Sequence, residues 1–144
     1  MRGSIITILF FAFHLSSSGQ AIPSKANTIL VKGVSFTEIC TALLDAGYSI
    51  EKKDSELQTV RTEPKKYPKY WNATYVVNIR VKDSTAYISG KFTGASGGLF
   101  KDDPIYNHTN KKGETHEKSM FGYPFLLLNE FAQSFKKEVS YQTL

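Results

Sequence analysis

The sequence predicts an α+β fold: a two-layer sandwich in the order β-α-β-β-β-α, with two helices on one face of a mainly antiparallel sheet. Several segments between residues 28 and 93 alternate apolar and polar residues, as half-buried strands do. Two other segments, about 36–46 and about 123–138, place apolar residues at helical spacing. The chain shows no internal repeat and no composition break, so residues 21–144 are expected to form a single α+β domain.

The first strand and the first helix are predicted from local signals. Residues 21–27 are expected to be a flexible leader. Thr28–Lys32 is a short run rich in β-forming residues. Ser35 and Glu38 form an S-x-x-E capping box, which predicts that a helix begins at residue 36. Gly47 supplies the stop signal, so the helix is expected over about 36–46. Its apolar stripe consists of Phe36, Ile39, Cys40, Leu43 and Leu44.

Between the helices, Tyr48–Lys53 and Leu57–Glu63 look like strand material, and Trp71–Val81 and Thr85–Thr93 are expected to be strands. A two-residue turn at Asp83–Ser84 would join the last two as a hairpin. A shift of one residue would put their apolar sets on opposite faces, so the register is well specified. The predicted pairs are Val81–Ala86, Ile79–Ile88, Val77–Gly90 and Tyr75–Phe92 on the apolar face, and Arg80–Tyr87, Asn78–Ser89 and Thr74–Thr93 on the polar face.

The last helix is expected from about 119 or 123 to 138, with Pro124 in its first turn, where proline is tolerated. Leu126 lies opposite the main apolar stripe, so it is either buried or a contact for a partner or ligand. Residues 139–144 are expected to be a short strand or a tail. The stripe consists of Phe121, Phe125, Leu128, Phe131, Ala132 and Phe135.

The N-terminus has the layout of a secretory signal peptide. Met1–Ser4 is short and positively charged, Ile5–Leu15 is mostly apolar, and Ser16–Ala21 supplies small and polar residues. The apolar run is too short for a membrane-spanning helix, which needs about 20 residues. We therefore expect residues 1–20 to be a signal peptide cleaved near Gly19–Ala21, and the mature chain to be secreted or periplasmic with no transmembrane span.

Cysteine usage and charge narrow the function classes. Cys40 is the only cysteine, so the chain can form no internal disulfide, and no cysteine follows the apolar run to carry a lipid anchor. The formal net charge of +5 favours acidic partners such as an anionic glycan or an acidic protein. Nucleic acid is not expected as the partner of an exported domain.

Cationic and aromatic residues alternate just before the third predicted strand. Such a mixture is suited to stacking on sugar rings or to binding an anionic polymer. The favoured interpretation is nevertheless a solvated basic loop whose tyrosine and tryptophan rings lie under the sheet edge, because Trp71 begins the apolar face of the next strand. Tyr67 and Tyr70 are the expected surface residues of this segment. The candidate contact residues here are Lys65, Lys66, Tyr67, Lys69 and Tyr70.

Residues 94–118 have no periodicity and are longer than packing requires, which is typical of functional or mobile loops. His108 and His116 are the candidate contact residues in this loop. Asn72 and Asn107 match the acceptor pattern for N-glycosylation, and Asn107 is the plausible site in a host that glycosylates asparagine.

Catalytic and metal-binding patterns are weak. Gly94–Gly98 matches G-x-S-x-G around Ser96, but a turn follows where a nucleophile elbow needs a helix, so Ser96 is not expected to be a nucleophile. Cys40 lies on an apolar stripe and is expected to be an inert thiol. We therefore expect no catalytic residue, no cofactor and no metal. The loop residues whose spacing fails to match a zinc site are His108, Glu114, His116 and Glu117.

Three motifs carry a resemblance: V-K-G-V-S-F-T-E-I from residue 31, L-L-D-A-G-Y-S-I from residue 43, and F-G-Y-P-F-L-L-L-N-E-F-A-Q-S-F from residue 121. In this layout the chain resembles small exported domains of unknown function from Bacteroidetes-type bacteria, which have TBP-like or helix-grip folds. It is more distantly similar to lipoprotein accessory domains of the outer-membrane β-barrel assembly machinery. The chain departs from the lipoproteins in lacking their lipid-anchoring cysteine. The resemblance implies no catalytic residues.

The leading hypothesis is an exported, non-enzymatic binding or accessory domain that recognises a protein or envelope component. It would use the 94–118 loop and one edge of the sheet or a helix. The alternative is a carrier for a small apolar ligand, held in a groove between the last helix and the sheet. A third hypothesis is a small hydrolase centred on the 94–118 loop. The sheet face of the carrier groove would be Tyr75, Ile79, Ile88 and Phe92.

Overall fold

The computed structural model describes residues 21–67, 73–94 and 101–144. Over these ranges the protein is a mixed α/β domain that is mostly sheet, with two helices and eight antiparallel strands. The helices are α1 (Phe36–Asp45) and α2 (Gly122–Gln133). The strands are β1 (Thr28–Lys32), β2 (Ile50–Asp54), β3 (Thr59–Thr62), β4 (Lys65–Lys66), β5 (Thr74–Lys82), β6 (Thr85–Thr93), β7 (Asp103–Pro104) and β8 (Val139–Gln142).

The element order differs from the expected one. Within the described ranges, six strands, β2 to β7, lie between the two helices and β8 follows α2, so the predicted order β-α-β-β-β-α was wrong. Two of the added strands, β4 and β7, contain only two residues each, too few to produce a period in the sequence. The residues of β8 were left open between a strand and a tail, and the structure makes them a strand paired with β1.

The sheet order is β2-β3-β5-β6-β1-β8, with β4 also paired to β5 and β7 to β6. The β5–β6 register is the predicted one at all seven pairs, from Val81–Ala86 to Thr74–Thr93. Asp83 and Ser84 have φ values of 49° and 54°, as a two-residue turn with a left-handed backbone requires. The hairpin prediction is therefore confirmed.

Helix α1 has the caps that the sequence predicts. The backbone N–H of Glu38 donates to Ser35 Oγ, and the N–H of Ser35 donates to the Glu38 carboxylate at 2.7 Å. Gly47 has a φ of 74°, and its amide and that of Tyr48 donate to the carbonyls of Leu44 and Leu43. Together these bonds cap both ends of the helix.

Helix α2 begins at Gly122, with Pro124 in its first turn as predicted. The hydroxyl of Ser119 accepts hydrogen bonds from the amides of Phe121 and Gly122 at 3.2 and 3.3 Å. The helix ends at Gln133, and the expected end near 138 was wrong, because Lys136 has a φ of 53° and the chain turns there into β8. In the described part of the chain, neither helix combines the length and apolarity needed to cross a membrane.

The buried residues of both helices share one core with the alternate apolar residues of β1, β3, β5 and β6. Gly90 lies at the centre of this core, where a Cβ would be 2.7 Å from Ile105 Cδ1 and 3.1 Å from Leu128 Cδ1. Phe125 and Leu128 of α2 are at most 1% exposed. The sheet residues assigned to a carrier groove are also at most 3% exposed: Tyr75, Ile79, Ile88 and Phe92.

The residues before β1 were expected to be a flexible leader, and this was wrong. The side-chain amide of Asn107 donates to the carbonyls of Ile22 and Pro23 at 3.2 and 2.9 Å, and its oxygen accepts from the Thr115 hydroxyl at 2.7 Å. The backbone N–H of Asn107 also donates to the Ala26 carbonyl at 2.7 Å. Asn107 is 0% exposed, so in the folded chain its side chain is not accessible for the glycosylation considered from the sequence.

Candidate functional site

The sheet face opposite the core carries polar side chains from four adjacent strands. The registers place Ser89 opposite Asn78, Asn78 opposite Arg61, and Arg61 opposite Lys52. Because directly paired residues point to the same face, these four side chains form one row across β6, β5, β3 and β2. The row is an unbroken run of groups that can hydrogen-bond or carry charge.

A second row runs beside the first. Leu30 is opposite Tyr87, Tyr87 is opposite Arg80, and Arg80 is opposite Thr59. Arg80 is exposed, while Tyr87 and Thr59 are half-buried. The two rows together form a surface that we call the open face, defined by Lys52, Thr59, Arg61, Asn78, Arg80, Tyr87 and Ser89.

A surface cavity of about 280 Å³ lies on the open face. Its lining includes all seven of these residues, together with Thr28 and Leu144. Three lining side chains are basic, and the lining contains no aspartate or glutamate. The volume is close to the lower limit of about 300 Å³ for small-molecule sites, so the cavity can take part of a ligand that continues along the surface.

The positive charges of the open face are only partly compensated. The Arg61 guanidinium makes an ion pair with Glu51, with Nε 2.7 Å from the carboxylate oxygen. Lys52 and Arg80 make no ion pair with any other described residue. Lys52 is moreover directly opposite Arg61, and like charges in that position destabilise a sheet. A bound anion would relieve this repulsion.

Tyr87 is the aromatic group of the open face. It lies between Leu30 on β1 and Arg80 on β5. Within the described residues its hydroxyl makes no hydrogen bond. A half-buried ring with an unused hydroxyl, next to a guanidinium, can offer both a stacking surface and a polar contact.

In the described part of the basic and aromatic segment predicted as a contact site, Lys65 makes structural contacts. Lys65 Nζ donates to the carbonyls of Ala46 and Gly47, both at 3.1 Å, and lies 4.1 Å from the centre of the Tyr48 ring. Lys65 thus caps the C-terminal end of α1, where a positive charge interacts favourably with the helix dipole. Lys66 is exposed on β4. Lys69 and Tyr70 lie outside the described residues, as do Trp71 and Asn72.

Tyr67 was a candidate surface residue, and this was wrong, whereas the favoured prediction of aromatic rings under the sheet edge holds for it. It is 6% exposed, and its hydroxyl donates to the Met120 carbonyl at 3.3 Å. Its ring packs edge-on against Tyr75 with centroids 5.4 Å apart. Burial raises the pKa of the Tyr67 phenol above its ordinary value. Tyr67 is therefore a core residue that joins β4 to the start of α2.

His108 and His116 organise the approach to α2. Their rings stack with centroids 5.7 Å apart and planes 6° from parallel. His108 Nδ1 lies 2.5 Å from the Ser119 hydroxyl, which in turn caps α2. A Cβ at Gly122 would be 2.5 Å from the His116 carbonyl oxygen, so glycine is required where the helix meets this segment. Both histidines are half-buried, and so is Leu126 on α2.

Ser96 and Cys40 are the residues that the sequence analysis considered as nucleophiles. Ser96 lies outside the described residues. Cys40 is 7% exposed within the core. In the described ranges, no three His, Cys, Asp or Glu side chains come together in a way that could hold a metal ion. The hydroxyls of Tyr48 and Tyr75 are 3.2 Å apart, and burial raises the pKa of both phenols.

The open face was not among the predicted sites, although part of its signal was present. The predicted hairpin register already placed Arg80 beside Tyr87 and Asn78 beside Ser89 on the polar face. Arg61 reaches this group only because β3 pairs with β5, which no local pattern specifies. A search for cations that share a sheet face with an aromatic residue would have found half of the site.

No protein-family model matches this chain. The curated proteins searched contain no significant match either.

Proposed function

We propose that this protein is an exported, non-enzymatic binding domain that recognises an acidic protein or envelope component through its open face. One observation carries the proposal: a cavity of about 280 Å³ lined by Lys52, Arg61 and Arg80 and by no aspartate or glutamate. Clustered charge of one sign attracts a ligand of the opposite sign and speeds its association. The formal net charge of the mature chain acts in the same direction, since removal of Arg2 with the signal peptide lowers it only from +5 to +4.

The proposal takes the fold as a two-layer sandwich, with α1 and α2 on one face of the sheet. The shared core supports this two-layer arrangement, because Ile39 of α1, Phe125 of α2 and Ile88 of β6 are all 0% exposed within it. The helices then protect the apolar face, and the other face is left for recognition. Antiparallel sheets commonly have one face in the core and the other in solvent.

Export is proposed on the signal-peptide pattern of residues 1–20. The contacts of Ile22 are consistent with cleavage there, because its carbonyl, just after the expected cleavage site, accepts a hydrogen bond from the Asn107 side chain. Cleavage near Gly19–Ala21 would leave these contacts intact. N-terminal sequencing of the protein recovered from its host should give a first residue close to 20–22, and an intact Met1 would refute cleavage.

The binding proposal is tested with anionic polymers at low ionic strength. Labelled polyglutamate and polygalacturonate are titrated with the mature protein, and at least one should bind. Replacing Lys52 and Arg80 together by alanine should weaken that binding about tenfold, about 1.4 kcal/mol. The matched control replaces Lys111 and Lys112 by alanine. This double variant loses the same two positive charges, but neither lysine lines the cavity. Equal losses in the two double variants would mean that net charge alone drives binding, and would refute the site.

The carrier hypothesis requires free space between α2 and the sheet face. Phe125 and Leu128 lie at this position, and both are buried. The observations therefore favour recognition at the open face over a groove between helix and sheet. Native mass spectrometry of protein purified from its host checks this choice, because a carrier would retain a small molecule.

A further inference from the structure

We infer that the ligand of the open face is an acidic carbohydrate, whose sugar ring stacks on Tyr87 and whose anionic groups pair with Arg80, Arg61 and Lys52. This inference rests on the proposed binding function and names the chemical class of the ligand. It is argued from the spacing of the cations, the place of the aromatic ring and the neutral groups between them.

The cations are spread over three adjacent strands, as a repeating anion requires. Lys52 and Arg61 are direct neighbours across β2 and β3, and Arg80 is diagonal to Arg61 across β3 and β5. Neighbouring strands are about 4.8 Å apart, and diagonal neighbours are about 7–8 Å apart. One small anion cannot contact all three, whereas a chain with a charge on successive units can.

The aromatic ring distinguishes a sugar from an acidic peptide. Tyr87 is directly opposite Arg80 and close to the first row of polar groups. The C–H face of a sugar ring packs flat on an aromatic ring, while the anion on the same sugar can reach the adjacent guanidinium. An aspartate or glutamate side chain has no such face, so it would use Arg80 and leave Tyr87 without a role.

The neutral groups complete the match to a carbohydrate. Asn78, Ser89 and Thr59 lie among the cations and line the same cavity. Amides and hydroxyls both donate and accept hydrogen bonds, as sugar hydroxyls do. A ligand that offered only carboxylates would leave the acceptors of these groups unused. The Ser89 hydroxyl has only a long bond of 3.4 Å to the Asn78 carbonyl and is available to exchange it.

The experiment compares three probes of similar length: oligogalacturonate, its fully methyl-esterified form and oligoglutamate. Affinities for the mature protein are measured by isothermal titration calorimetry at low ionic strength. Oligogalacturonate should bind at least about tenfold more tightly than the neutral ester, and at least about threefold more tightly than oligoglutamate, which correspond to about 1.4 and 0.7 kcal/mol.

Two variants assign the contacts. Arg80→Ala and Tyr87→Ala should each weaken oligogalacturonate binding about tenfold, about 1.4 kcal/mol. Tyr87→Phe keeps the ring and should lose less than about threefold, and Lys112→Ala is the control for charge. Thermal unfolding of each variant verifies folding. If Tyr87→Ala lowers the melting temperature, the affinity of the wild-type protein for oligogalacturonate relative to oligoglutamate still tests the carbohydrate assignment.

The outcomes separate this inference from the proposed function. If oligoglutamate binds as tightly as oligogalacturonate and Tyr87→Ala changes neither affinity, the carbohydrate assignment is overturned, while a dependence on Arg80 preserves binding of an acidic partner at this face. If Arg80→Ala and Lys112→Ala have equal effects on every probe, both the ligand class and the site are overturned. Binding of the neutral ester as tight as that of the acid would also overturn the inference.

Discussion

Replacing Asn107 by alanine should destabilise the domain by about 3 kcal/mol. The side chain makes three hydrogen bonds, to the carbonyls of Ile22 and Pro23 and from the hydroxyl of Thr115. Each buried group left without a partner costs about 1–3 kcal/mol. Because all three partners belong to residues that are partly exposed, water can reach them in the variant, so the lower end of that range applies to each bond.

The assay is equilibrium unfolding in urea, followed by circular dichroism and tryptophan fluorescence. The backbone bonds of Asn107 to Lys25 and Ala26 survive in the variant, so the measurement isolates the side chain. Asn107→Asp should cost at least as much at neutral pH, because it turns the amide donor into an acceptor that faces two carbonyl oxygens. Hydrogen exchange should accelerate first at the Lys25 and Asn107 amides.

Asn110→Ala is the matched control. Its side chain also bonds the local backbone, but it lies in a turn at the surface and ties only residues 110–114 together. We expect a loss of about 1 kcal/mol or less. If Asn107→Ala cost no more than Asn110→Ala, the argument that Asn107 fixes the leader to the domain would fail.

Three further predictions concern packing, the hairpin and acid stability. Gly90→Ala should destabilise by about 1–3 kcal/mol in urea unfolding, because its Cβ would be 2.9 Å from the Val76 carbonyl oxygen; a loss below about 0.5 kcal/mol would show that the core can adjust. Ser84→Gly should stabilise by about 0.5–1 kcal/mol, since Ser84 has a φ of 54°, while Ser55→Gly in another turn should not. The hydrogen bonds from Ser35 and Lys137 lower the pKa of Glu38 to about 2, below its value of 4.5 in an unfolded chain. Its stabilising contribution is therefore present above pH 4.5 and lost as the pH falls towards 2, and Glu38→Gln should flatten the melting temperature in that window.

The parts of the fold that the sequence predicts are those with local signals. The α1 capping box requires only Ser35 and Glu38, which are three residues apart. The β5–β6 register follows from alternation on both sides of Asp83–Ser84. In each case the interacting residues are close in the chain, so the pattern contains the whole interaction.

The parts that the sequence does not predict depend on distant residues. β1 pairs with both β6 and β8, and no property of Thr28–Lys32 specifies either partner. Tyr67 is buried because its hydroxyl bonds the Met120 carbonyl and its ring packs against Tyr75, although its neighbours in the chain are lysines and a proline. The candidate site has the same origin, since Lys52 and Arg61 join Arg80 only through the β2–β3–β5 pairing.

The like-charged pair on the open face leads to a final prediction, in which stability and binding change in opposite directions. Lys52→Glu places a carboxylate directly opposite Arg61, so a repulsive cross-strand pair becomes an attractive one. The variant should gain about 0.5 kcal/mol in urea unfolding at low salt, and the gain should shrink at high salt because both groups are exposed to screening. The same variant should lose oligogalacturonate binding. Lys112→Glu makes the same two-unit change of charge in a surface turn and should change neither property much. A Lys52→Glu protein that is less stable than wild type, or one that binds the acidic probe as before, would show that Lys52 and Arg61 do not form a shared anion site.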